Sequence, residues 1–120
     1  MQLFTQAQRE RLTANFRTNQ QQPEETDHWP VVKLFTPDAQ ATWLLSELDP
    51  IDELAFGLCD LGMGFPELGY VSLAELQSVR GPLGLPIERD RHWQAEGPLT
   101  AYAEAARKAG GIVQLAAATP

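Results

Sequence analysis

Residues 29–60 read WPVVKLFTPDAQATWLLSELDPIDELAFGLCD, and the choice of fold turns on them. Three runs rich in β-formers, 29–36, 41–48 and 54–60, are separated by two short breaks, Pro37-Asp38 and Asp49-Pro50-Ile51-Asp52. Proline presets φ and aspartate bonds its own backbone, so both breaks read as turns. Short β-rich runs joined by tight turns predict an antiparallel meander. Under strict alternation the middle run puts Trp43 and Leu45 on one face and Leu44 and Leu48 on the other. The third run alternates large Leu54, Phe56 and Leu58 with small Ala55, Gly57 and Cys59, which suits a strand whose opposite face is crowded.

Helices flank the meander. Thr5-Gln6-Ala7-Gln8 predicts a capping box, with Leu12 and Phe16 four apart on one face of the helix it opens. That helix fades in the polar residues 18–22, and 24–28 continue as an exposed linker. After the meander, 61–68 (LGMGFPEL) is a loop and 68–71 a fourth short strand. Ser72-Leu73-Ala74-Glu75 is a second capping box, opening a helix with Leu73, Leu76 and Val79 as its apolar stripe and Gly81-Pro82 as its stop. Residues 87–93 can be extended again. Gly97-Pro98 opens a last helix with proline at its first position, burying Leu99, Tyr102, Ala103 and Ala106 and ending at Gly110-Gly111. The expected fold is α+β: a small antiparallel sheet of three to five strands packed with two or three helices. It forms a single domain over residues 1–110, with 111–120 as a tail, flexible or an edge strand.

The bulk numbers narrow the function classes. A 120-residue chain with 43% hydrophobic and 21% charged residues is globular in composition and has room for one core. Its formal net charge is −7. Between Glu24 and Glu75 the sole basic side chain is Lys33, so that half is acidic throughout. Nucleic-acid binding draws its affinity from a basic footprint, which this balance does not support. An acidic face suits a basic protein or a cation. A lone cysteine excludes an intramolecular disulfide, and no apolar run approaches a membrane span, so a cytoplasmic setting without membrane attachment is expected.

The chain carries no Walker loop, dinucleotide-binding glycine fingerprint, HExxH or CxxC pair. Gly62-Met63-Gly64 reads as a turn, since neither a lysine nor a long helix follows it. Cys59, within an apolar strand and followed by Asp60, lacks the electropositive setting a nucleophile needs. Trp29, Trp43 and Trp93 read as core or core-edge anchors. In Glu88-Arg89-Asp90-Arg91-His92, an extended backbone places Glu88, Asp90 and His92 on one side and both arginines on the other. Glu88 and Asp90, joined by Asp60 and Glu67 from elsewhere, form the candidate cluster for a divalent metal or an ion-pair network. Arg80 and Arg89 are the candidate anion contacts, with Arg80 placed first to complement a helix dipole.

The string Arg80-Gly81-Pro82-Leu83-Gly84-Leu85-Pro86-Ile87-Glu88-Arg89-Asp90, together with Pro37-Asp38, Thr42-Trp43, Phe56-Gly57-Leu58 and Glu67-Leu68-Gly69-Tyr70, resembles the bacterial proteins grouped as domain of unknown function 2958. The resemblance runs from Leu3 to His92. It implies an accessory protein of a mobile genetic element, such as a conjugative plasmid, an integrative element or a phage. It brings no established activity. Members often carry an aromatic residue at the position of His92, which implies that a metal site would rest on Glu88 and Asp90 without it. The leading expectation is a protein-binding module with an acidic face and another protein as partner. The alternatives are a metal-dependent nuclease or phosphodiesterase, with the cluster holding a divalent cation, and an acidic DNA mimic acting in antirestriction.

Overall fold

In the computed structural model, which describes residues 3–115, five antiparallel strands form one sheet with helices on both faces. The order along the chain is α1 (Gln6–Gln21), β1 (Val32–Phe35), β2 (Thr42–Asp49), β3 (Leu54–Asp60), β4 (Glu67–Ser72), α2 (Leu73–Ser78), β5 (Glu88–Arg89) and α3 (Leu99–Ala109). Across the sheet the order is β4-β3-β2-β1-β5. β1 to β3 are the meander that the two turns dictate, β4 extends it after the 61–66 loop, and β5 returns to pair with β1. The second turn uses the expected chemistry, with Asp49 Oδ1 accepting the Ile51 and Asp52 N–H groups at 2.9 and 3.3 Å, whereas in the first the Thr36 hydroxyl, not Asp38, accepts the Ala41 N–H at 2.9 Å. No helix among the described residues is long and apolar enough to cross a membrane.

The strict alternation expected in β2 fails at one residue, and the failure organises the core. Leu45 pairs with Gly57 but Glu47 with Phe56, so Ser46 is an extra residue in β2. A β-bulge of this kind shifts every later side chain to the other face. Leu48 therefore joins Trp43 and Leu45, not Leu44. Two neighbours accommodate the bulge. A Cβ on Gly57 would lie 2.0 Å from the Leu44 carbonyl oxygen, so only glycine permits the approach. The Ser46 carbonyl, put out of the ladder's register, accepts the Asn15 Nδ2–H of α1 at 3.0 Å.

On the face of Trp43, Leu45 and Leu48, α1 and α2 cover the sheet through Leu12, Leu73 and Leu76. α1 starts at the predicted capping box: the Thr5 hydroxyl accepts the Gln8 N–H and the Gln8 side chain accepts the Thr5 N–H. Its Arg9 reaches Glu53 in the β2–β3 turn at 2.7 Å. On the other face α3 packs Leu99, Tyr102, Ala103 and Ala106 against Leu44 and Leu58.

Helix ends depart from the sequence reading in two places. α2 closes at Ser78 with Val79 as its cap, one turn short of Gly81-Pro82. Pro98 is the N-cap of α3 rather than its first residue, and offers no side chain to the free N–H groups. Asp27 supplies that cap from the 24–28 linker: its carboxylate accepts the Thr100 N–H at 3.3 Å and the Thr100 hydroxyl. The linker is exposed at Glu24–Asp27 but tethered, because Asn19 also clamps both polar backbone atoms of Thr26. Residues 111–115 form no strand. The Ile112 N–H bonds Asp60 at 2.9 Å, and Ile112 and Leu115 pack on the α3 side of the core. The remainder of the expected tail, 116–120, lies outside the described residues.

Candidate functional site

The four carboxylates expected to cluster are held apart by the strand order. Glu67 begins β4 at one edge of the sheet, while Glu88 lies in β5 at the other with Asp90 just after it. Four strand spacings of about 4.8 Å separate those edges by roughly 19 Å. Asp60 is one residue out of step with the Cys59–Glu67 pair, so Asp60 and Glu67 leave opposite faces of the sheet. Among the described residues no group of three or more histidine, cysteine, aspartate or glutamate side chains is placed to hold a metal ion.

Each candidate instead has its own setting. Asp60 is buried and accepts the Gly62 and Ile112 N–H groups, both at 2.9 Å, fastening the loop after β3 to the segment after α3. Asp90 accepts the His92 N–H at 3.1 Å, in a turn that ends the alternation of 88–92 after Arg89, and meets Lys33 at 4.0 Å. Glu67 and Glu88 are exposed. Arg80 turns its guanidinium onto the Gln77 and Val79 carbonyls at 2.9 and 2.7 Å, so it serves the end of α2 as the dipole argument anticipates. Arg89 is half-buried opposite Leu34 in β5.

The Arg80–Asp90 string is thereby accounted for as architecture. Gly84, with φ of 80°, donates its N–H to the Gly81 carbonyl at 2.9 Å and closes a tight turn. Asp38 of the β1–β2 hairpin enters that turn and accepts the Leu83 N–H at 2.7 Å. Gly81 passes so close that an added Cβ would overlap the Asp38 carboxylate. Cys59 is half-buried against the α1 side of the core, and burial pushes its thiol up from the ordinary value, away from nucleophilic chemistry. Of the tryptophans, Trp43 is buried, Trp93 packs against Tyr102 at 5.8 Å, and Trp29 is 53% exposed.

Two features were not anticipated. The first is a cleft of about 230 Å³ lined by Asn19, Glu25, His28, Glu47, Phe56 and Leu68. The bulge turns Glu47 to this side, and the tethered linker brings His28 to it. Burial raises the Glu47 carboxyl above the ordinary glutamate value; the Asn19 side chain and His28 oppose the rise, and Glu25 adds to it. The buried Nε2 of His28 has no hydrogen-bond partner among the described residues. Nothing in local sequence joins residues 19, 28 and 47, because the bulge and the linker tether assemble the cleft.

The second feature is the β4 border. α3 covers Leu44 and Leu58 but leaves the outer part of its face open. Leu61, Met63, Phe65, Leu68 and Tyr70 are 60, 72, 80, 42 and 65% exposed. The Phe56 and Tyr70 rings meet with centroids 5.0 Å apart, tilted 55° to one another. A groove of about 630 Å³ runs between the 64–68 segment and α3, with Leu58 and Ala103 in its lining and Glu67 and Arg107 also beside it. A sequence signal existed: large apolar residues at 61, 63 and 65 sit among glycines where no strand or helix can bury them. Phe65 and Leu68 line the same groove, and folded proteins rarely leave neighbouring large apolar side chains exposed without a use for them.

In comparisons with known proteins, no curated protein and no solved structure matches the chain. A family model described as a protein of unknown function matches residues 3–113.

Proposed function

The chain belongs to the DUF2958 family, and on the geometry of β4 we propose that it is a protein-binding module, an accessory protein of a bacterial mobile element that docks a partner along the β4 border. One observation carries the proposal. Phe65, Leu68 and Tyr70 stand exposed along β4 and the loop that leads into it, with Leu61 and Met63 exposed earlier in that loop. Burying them costs little polar desolvation and gains roughly 25 cal/mol for each Å² of apolar surface removed from water. An interface anchored on Phe65 and Tyr70 has the aromatic centre that binding sites favour. The chain's net charge of −7 sets the sign of a partner that would be steered toward it. The mobile-element setting rests on the family resemblance.

The test is a photo-crosslinking residue placed at position 70, with a control at Gln20 on the exposed side of α1, irradiated in cells that carry the natural genetic element. The expected result is an adduct of defined mass from position 70, absent from position 20 and lost when Phe65→Asp is added. Equal adducts at both positions, or none at 70, would sink the proposal.

A further inference from the structure

We infer that the partner's contact segment is an extended, basic stretch of chain that adds to β4 as a sixth strand; this rests on the docking reading and specifies its occupant. The first argument concerns the backbone. Among the described residues β4 pairs with β3 alone, over six residues from Glu67 to Ser72, so about half of its N–H and C=O groups point outward. A row of alternating donors and acceptors is complementary to another strand and to little else.

The second argument compares the two edges. Folded proteins blunt free edges with proline, lysine, bulges or brevity. The β5 edge is blunted: it has two residues, with Pro86 two positions before it and the Asp90–His92 turn after it. β4 has none of these devices. Its sequence ELGYVS contains neither lysine nor proline, and its register with β3 is unbroken across six pairs. An added Cβ at its centre, Gly69, would meet nothing within 4 Å, so the face of the sheet above that residue is uncovered.

The third argument fixes the side chains. Leu68 and Tyr70 pair with Leu58 and Phe56 and so share the α3 face, where the groove runs. A sixth strand would set every second side chain beside them. Apolar residues at alternate positions are therefore required on that face. Charge decides the remainder. β4 opens with the exposed Glu67, and the chain is acidic overall, so the segment's other positions are lysine or arginine. The same charge disfavours a second copy of this chain as the occupant, since each copy brings −7.

The experiment titrates the whole protein with capped heptapeptides of alternating valine and lysine, following backbone amides by NMR and hydrogen exchange. The expected result is slowed exchange and shifted resonances confined to residues 67–72 and their neighbours. N-methylation of the peptide amides along one edge should abolish binding, and replacing lysine by glutamate should weaken it by about tenfold or more. Leu68→Lys and, separately, Tyr70→Lys should each remove the response, while Ile51→Lys, at a distant turn, should not. Binding that tolerates N-methylation on either edge overturns strand addition, as does a response away from β4. An equally tight glutamate peptide overturns the basic assignment, and a β4-mediated dimer in sedimentation overturns the choice of a foreign segment. If the peptides fail while the position-70 crosslink persists, strand addition falls and the docking reading stands. If both fail, both fall.

Discussion

At the residue scale, Gly57 and Glu47 show how one irregularity propagates. Gly57 faces the bulge with no room for a methyl group, since its added Cβ would lie 2.8 Å from the Leu45 Cα as well as inside the Leu44 carbonyl contact. Gly57→Ala should therefore destabilise the fold by about 1–3 kcal/mol or more, read from the midpoint of urea unfolding. Gly69→Ala, which meets open space, should cost far less. Glu47 shows a consequence of the same bulge. Its folded-state carboxyl titrates above its ordinary value of 4.5 because it is partly buried. The folded state thus binds the proton more tightly than the unfolded chain does. The stabilising contribution is complete below pH 4.5 and is lost as pH rises through the raised value. Glu47→Gln keeps a partner for Asn19 without the charge. It should raise the melting temperature at pH 7 by a few degrees at most, a gain of under about 1 kcal/mol. The gain should shrink toward zero as the pH falls below 4, which parallel thermal scans would show. Residue types and turn positions were legible in sequence here; the bulge was not, because Ser46 carries no local mark of an extra residue.

At the element scale, the helices were legible by their caps and the joints between elements were not. The Thr5 capping box and the Ser72 hydroxyl cap, which accepts the Glu75 N–H at 3.4 Å without the return bond of a full box, could be read because each acts within four residues. Asp27 capping α3 and Asp60 holding the segment after it act across 73 and 52 residues respectively. No periodicity reports such a bond. Asp60 was expected at a shared cluster and is instead a fastener whose two oxygens are both engaged. Asp60→Ala would strand two backbone N–H groups and should cost roughly 2–4 kcal/mol, with the amides of 111–115 losing their hydrogen-exchange protection. Asp60→Asn, which keeps one acceptor, should fall between the two. Arg80 illustrates the opposite case. Its helix-end role was the plain reading of an arginine beside Gly81-Pro82, and its bonds to the Gln77 and Val79 carbonyls agree with it.

At the scale of the whole molecule, the buried cores and the proposed docking rim occupy different parts of the sheet. The two cores meet at β2, where Leu44 and Leu45 are both fully buried on opposite faces. Leu44→Ala should cost about 2–5 kcal/mol. Phe65→Asp, at a side chain 80% exposed, should leave unfolding within about 0.5 kcal/mol of the parent while removing the position-70 crosslink. A pair of variants that separates in this way, one in denaturation and the other in binding, would distinguish a docking rim from a merely structural one.

The sequence by itself determined the fold class, the meander and the starts of α1 and α2, because each depends on interactions between residues close along the chain. It also determined the acidity of the chain, a net charge of −7, on which the proposal of a basic partner rests. Only the tertiary structure decided that Asp60, Glu67, Glu88 and Asp90 stand apart, that Leu48 changes face, and that β4 is the unguarded edge. Those outcomes depend on strand order and register, which arise from packing between distant segments. The carboxylates were readable as residues and not as neighbours: β5 returns to β1 rather than to β4, and that one pairing separates Glu88 from Glu67 by the width of the sheet.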